Sequence, residues 1–262
     1  MPKRIYPNNP KIICLLLMFL LLGIGRFAEY DADMINPSFS QSCQRISTPK
    51  DLLLGKFDPA EHPDFERISN YNMYANMYLH TQAKCALDSL VEAAAKDGIT
   101  LRILSATRTF NTQKLIWERK INKYSKGRFD WLTNAQQREI VQNILTYSAM
   151  PSTSRHHWGT DVDFCSVSLA FWQSAKGKRT YRWLKDNAEN YGFALTYTQS
   201  RNGGHNFEPW HWSYLPLSDI FLDDYLNTIT YSDIISFSGA SFAAELGIFD
   251  HYVANVFNPS IP

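Results

Sequence analysis

"PSTSRHHWGTDVDF", residues 151–164, is the stretch from which the fold is best read. After Gly159 the segment TDVDF alternates polar and apolar side chains. A period of two belongs to a strand, with Asp161 and Asp163 on one face and Val162 and Phe164 on the other. A histidine ahead of the glycine turn, His156 or His157, can converge with Asp163 on one point.

The segments around this strand set its context. "AKCALDSLVEAAAKDG", residues 83–98, places Leu87, Leu90, Val91 and Ala94 on one helical face and ends at Gly98 as a C-cap. "ITLRILSA" then alternates like a strand. Asn111 is placed to cap a helix running towards Lys123. "NAQQREIVQNILTYSA" gives a further helix with Ile140, Val141, Ile144 and Leu145 on its buried side. "TYRWLKDNAENYG" reads as a helix ending at Gly192, "FALTY" and "WHWSY" as strands, and "TQSRNGGHN" as a loop. The tail from Leu217 is expected to be helical and to cover the sheet. Strands and helices without strict β-α-β alternation predict an α+β fold with a central, mainly antiparallel sheet flanked by helices.

The second chemical half is "NFEPWHWSY", residues 206–214. Glu208 and His211 are three apart with Pro209 between them. The proline and the aromatic alternation argue against a helical pair of histidines four apart. Two histidines and one carboxylate, with another carboxylate beside them, suit an open zinc site with a position left for water. A nearby glutamate can take the proton of that water. The same ligand set also occurs in non-haem iron oxygenases, which usually place histidine and carboxylate one residue apart. His156 and Asp163 are seven apart. Cys165 shares a strand face with Asp163, but a thiolate would close the open position.

Composition narrows the classes. The chain has 262 residues, 45% hydrophobic and 19% charged, as expected of a globular protein with one sizeable core. A net charge of +1 gives no footprint for nucleic acid. Lys3, Arg4 and Lys11 precede the apolar run Ile12–Ile24, shorter than the roughly 18 residues of a spanning helix but matching a secretory signal. Residues 1–25 are therefore read as a signal peptide or a retained membrane anchor, and the protein as exported to the periplasm or cell envelope. Cleavage after Gly25 removes three basic and no acidic residues and takes the net charge from +1 to −2. Cys43, Cys85 and Cys165 would remain, with Cys43–Cys85 the expected disulfide because Cys165 adjoins the polar cluster. Residues 26–69, rich in Pro, Ser, Asp and Asn, read as an extended N-terminal wrap.

"SRHHWGTDVD" resembles the SxHxxGxxxD motif of VanY-type zinc D-alanyl-D-alanine carboxypeptidases, the LAS metallopeptidases, and "EPWH" resembles their ExWH motif. The similarity runs from about Gly55 to the C-terminus, so residues 70–262 are expected to form the zinc carboxypeptidase domain, with the zinc site on the sheet face. The resemblance implies one zinc ion held by His156, Asp163 and His211, and Glu208 as general base and proton donor. His157 then stands behind the ligands or serves in packing. Family members often carry a small or apolar residue where this chain has Asp161, which is read as holding a ligand or a basic neighbour.

"SATRTFNTQ" resembles the family's Y-R-S/T-x-x-x-Q segment, with Thr107 in the usual tyrosine place. Arg108 is expected to hold the substrate's terminal carboxylate or the charge developing on the scissile carbonyl. Gln113 and Ser154 are expected to contact the peptide. The implied partner is a peptidoglycan stem peptide, and the implied reaction is removal of its C-terminal D-alanine. L,D-carboxypeptidase action on tetrapeptide stems and a non-catalytic peptidoglycan-binding module are the alternatives.

Overall fold

The computed structural model describes residues 47–69, 71–199 and 203–256. The expected export segment, residues 1–25, and Cys43 lie outside the described residues, and with Cys43 the expected Cys43–Cys85 bridge. Among the described residues Cys85 and Cys165 are unbridged, and no helix is long and apolar enough to cross a membrane.

The chain opens with the short helix α1 (Lys50–Leu53) and the two-stranded antiparallel ladder of β1 (Phe65–Arg67) and β2 (Tyr78–His80). Next comes α2 (Thr81–Lys96), whose buried stripe is Ala83, Leu87, Leu90 and Ala94. Val91, expected on that face, is only partly buried. Burying each leucine contributes about 1.5–3 kcal/mol. Gly98 closes the helix at φ 68°, and Ile99 N–H returns to the Ala94 carbonyl.

The main sheet contains β3 (Ile103–Ser105), β4 (Asp161–Phe164), β5 (Phe193–Leu195) and β6 (His211–Tyr214) in the order β3-β4-β6-β5, every pair antiparallel. The α+β expectation matches this architecture. Val162, Phe164 and Trp212 face an apolar cluster with Leu87, Leu90 and Leu184. The opposite face carries the polar residues of the central strands.

Four more α-helices follow among the described residues. They are α3 (Phe110–Ser125), α4 (Asn134–Leu145), the short α5 (Leu169–Gln173) and α6 (Ala175–Asn187). A second apolar cluster joins Trp117 and Ile121 of α3, Val141 and Ile144 of α4, Leu52 and Leu53 of α1, and Phe221 and Tyr225 of α7 (Leu215–Thr228).

Three boundaries differ from the sequence reading. The cap of α3 is Thr109, extended at ψ 163°, whose hydroxyl accepts from Thr112 N–H; Asn111 lies inside the first turn. The helix α6 begins at Ala175, earlier than its apolar pattern suggests, because the Ser174 hydroxyl caps it at Gly177 N–H. After Thr228 the tail breaks into short turns, where Thr230 and Asp233 form a capping box around a single 3-10 turn.

Candidate metal centre

Three local structures deliver the donor atoms. His156 stands in the 3-10 turn Arg155–Trp158, Asp163 in β4 and His211 at the start of β6. The β4–β6 register sets Asp163 directly opposite His211. Gly159 turns the chain from the 3-10 turn into β4 at φ 69°, and a Cβ there would lie 2.3 Å from the Phe65 ring. His156, Asp163 and His211 are all buried, and one ligating atom from each lies within 4.8 Å of the others.

Hydrogen bonds set which nitrogen each imidazole presents. His156 Nδ1 donates to the Ala106 carbonyl at 2.8 Å, which leaves Nε2 free, 3.4 Å from Asp163 Oδ2. His211 Nε2 donates to Asp161 Oδ1 at 2.9 Å, and its Nδ1 lies 3.2 Å from Asp163 Oδ1. His156 Nε2 and Asp163 Oδ1 are buried without a hydrogen-bond partner. Each such orphan costs about 1–3 kcal/mol. Two imidazole nitrogens and a carboxylate converging in this way fit a first-row dication such as zinc.

The electrostatics agree with that fit. Burial opposes charge on His211, but Asp161 and Asp163 on either side raise it to about 9. A cation at this position would take the place of that proton. His156, buried and facing Arg108, is lowered to about 4 and is neutral at neutral pH. Burial also works against both carboxylates, yet Arg155 and His211 hold Asp161, and His156 and His211 hold Asp163, well below the usual range.

Around the donors lies a small cleft lined by Arg108, Tyr147, Ser148, Ser154, Tyr197 and Glu208, among others. Glu208 Oε2 is 3.7 Å from His211 Nδ1 and accepts from Trp210 Nε1 at 3.0 Å. Burial pushes its carboxyl up to about 7, so acid and base forms coexist near neutrality. A larger apolar cavity of about 490 Å³ lies beside Phe193, Phe207 and Trp212. It contains none of these donors, so chemistry and not size marks the site.

Arg108 reaches the cleft with Nη2 3.6 Å from Asp163 Oδ2, while Nη1 donates to Gln113 Oε1 at 2.9 Å. Gln113 is fully buried and its amide donates to the Ala149 carbonyl. Both ends of its carboxamide thus have partners inside the protein, one of them Arg108. His157 does not reach the donor cluster. Its Nε2 accepts from Ser152 N–H at 3.1 Å and its Nδ1 donates to the Arg108 carbonyl at 2.6 Å, so it fixes the backbone that carries Arg108. Ser154 lines the cleft. Cys165 lies outside the donor group, its thiol directed at the Thr100 carbonyl.

Four residues of this neighbourhood escaped the sequence reading. Arg155 is buried with Nε 3.3 Å from Asp161 Oδ1; the signal was a buried carboxylate in need of a cation. Tyr197 packs its ring 4.7 Å from that of His211, and His205 packs 5.0 Å from Tyr197. Lys120, half-buried on α3, adds a cation whose charge reaches Glu208 and Arg108. Nothing in the sequence pattern marks these three.

A family model described as VanY, D-alanyl-D-alanine carboxypeptidase, matches residues 76–217, more than half of the chain. The chain belongs to this family. All three donors, Glu208 and Arg108 fall inside the VanY match. Among curated VanY relatives, a D-alanyl-D-alanine carboxypeptidase of Enterococcus faecalis is 31% identical over 153 residues, covering 54% of this chain and 53% of the relative. Another of that name, from Enterococcus faecium, is 25% identical over 186 residues, covering 66% and 52%. The chain thus spans about half the length of the curated relatives it matches. A vancomycin-resistance D,D-pentapeptidase VanY, solved in complex with Zn(II), is 27% identical, covers 64% of this chain and 93% of its own, and superposes with a TM-score of 0.47.

Proposed function

We propose that this protein is a zinc-dependent D,D-carboxypeptidase that removes the C-terminal D-alanine from peptidoglycan stem peptides outside the cytoplasmic membrane. The observation that carries this reading is the convergence of the buried His156, Asp163 and His211 donors with Glu208 and Arg108 at one cleft. Membership of the VanY family and the names of its curated relatives support the substrate class.

His156, Asp163 and His211 would hold the zinc. When bound, zinc supplies a Lewis acid that polarises a carbonyl and makes water more acidic. Glu208 takes the proton of the attacking water and later delivers it to the leaving amino group of D-alanine. Its raised carboxyl suits both transfers, since neither protonation state is far away at neutral pH. Arg108 presents a guanidinium to the terminal carboxylate or to the charge that grows on the scissile carbonyl. Gln113 acts through Arg108 by holding Nη1, and His157 acts through the same residue by holding its carbonyl. Trp210 steadies the carboxylate form of Glu208 by donating its indole N–H. Ser154, on the cleft wall, is placed to meet the peptide.

The test is a zinc-loaded digest of defined pentapeptide and tetrapeptide stems, with products weighed by mass spectrometry. Loss of one alanine from the pentapeptide is expected. Loss from the tetrapeptide alone would reassign the protein as an L,D-carboxypeptidase. No loss from either, with zinc bound, would leave a binding module. A Glu208→Ala variant that cleaves as well as the parent overturns the mechanism.

A further inference from the structure

Asp161 stands outside the donor set, yet it is fully buried and hydrogen-bonds one of the donors, His211. Its Oδ1 accepts from His211 Nε2 at 2.9 Å and from Arg155 Nε at 3.3 Å. Its Oδ2 accepts from the hydroxyls of Thr160 at 2.5 Å and Ser213 at 3.1 Å. Arg155 is buried as well, its guanidinium 4.7 Å over the Trp158 ring and its Nη2 donating to Ser213 Oγ at 3.0 Å. A buried ion pair is a poor source of stability, because desolvation of both charges offsets much of their attraction. Its persistence directly behind His211 calls for another role.

We infer that Asp161 is a positioning residue for zinc: by accepting the hydrogen bond of the His211 Nε2–H, it fixes the ring with its Nδ1 lone pair on the Asp163 side. Carboxylates placed behind ligating histidines set ring orientation and strengthen the donor, and their loss typically weakens metal binding about 10–100-fold. Arg155, Ser213 and Thr160 hold the remaining lone pairs of Asp161, so the carboxylate cannot turn away from the ring. This inference rests on the zinc reading above but not on the reaction.

The test measures zinc affinity of the full chain by competition with a chromophoric chelator, without any peptide. Asp161→Ala is expected to bind zinc about 10–100-fold more weakly than the parent. Asp161→Asn keeps an oxygen for the Nε2 proton but no charge, and is expected to fall between the two. Ser213→Ala removes a contact to Asp161 and leaves the His211 bond, so it is expected to lower Tm while keeping zinc affinity within about threefold of the parent. Asp161→Ala binding within twofold of the parent overturns the inference. If that variant does not fold, nitrogen-edited NMR of the zinc-loaded parent decides: a downfield, exchange-protected Nε2 proton on His211 supports it, and the absence of that proton overturns it. A failed muropeptide digest would leave these affinities as they are, so the two readings fail separately.

Discussion

A single methyl group at Gly55 is expected to reach the metal centre through two intermediaries. A Cβ built there, at φ 71°, would lie 2.2 Å from His157 Nδ1 and 2.6 Å from its Cγ. Those are ring atoms of a fully buried side chain, so the imidazole must move by more than an ångström to restore ordinary contact. His157 would then release the Arg108 carbonyl and Ser152 N–H, the two groups it holds. Each lost buried hydrogen bond costs about 1–3 kcal/mol, and a left-handed alanine adds about 1–2 kcal/mol. Gly55→Ala should therefore lose about 3–8 kcal/mol, a large part of the 5–15 kcal/mol typical of a domain. Gly127 supplies the control: it has φ 74° and nothing within 4 Å of its built Cβ, so Gly127→Ala should show the backbone cost alone. Urea unfolding read by fluorescence compares the two through the midpoint at constant m. Equal losses in the two variants would refute the route through His157. Where Gly55→Ala stays folded, its zinc-loaded form should also show a reduced kcat/KM.

Four further outcomes follow from the site. Arg108→Lys should lower kcat/KM by about 10²-fold on pentapeptide, since an ammonium cannot serve Gln113 and the substrate with one planar fork. As the proposed base Glu208 would work only when ionised, and burial raises its carboxyl to about 7, so kcat/KM should climb with pH through an acid limb. Bound zinc favours the carboxylate and places that limb between the ordinary carboxylate range and 7. Trp210→Phe removes the indole donor that stabilises the carboxylate and should move the limb to higher pH by about one pH unit. Dipicolinate should abolish cleavage and lower Tm, and excess zinc should restore both, with about 2.7 kcal/mol of added stability at a hundred times Kd.

Much of this architecture is legible in the residue order, for identifiable reasons. Leu87, Leu90 and Ala94 mark α2 because helical spacing concentrates them on one face, and TDVDF marks β4 because its alternation survives burial of both faces. What cannot be read is which distant backbone an imidazole meets. His156 turns its Nδ1 to Ala106, fifty residues away, and no local pattern encodes that partner. Gln113 was readable as a polar residue near Arg108, but its complete burial depends on the Ala149 carbonyl arriving from beyond α4. Arg155 sits in a 3-10 turn among histidines, where its neighbours suggest solvent; the Asp161 carboxylate, with Trp158 and Ser213 packed around the guanidinium, makes a buried cation tolerable. The cap of α3 moved to Thr109 because an extended residue immediately before the helix can present its hydroxyl to the first turn, which Asn111 inside that turn cannot do.

Asp163 and His211 form one cross-strand rung of the β4–β6 ladder. A slip of one residue would turn Val162 or Trp212 towards the donor side and remove a ligand, since strand faces alternate residue by residue. A bound ion would therefore act as a proofreader of strand alignment: a refolding chain that pairs its strands out of step would have no full ligand set and would gain nothing from zinc. Metal uptake during refolding should accordingly appear only with correctly aligned molecules, and zinc in the medium should draw the population towards them.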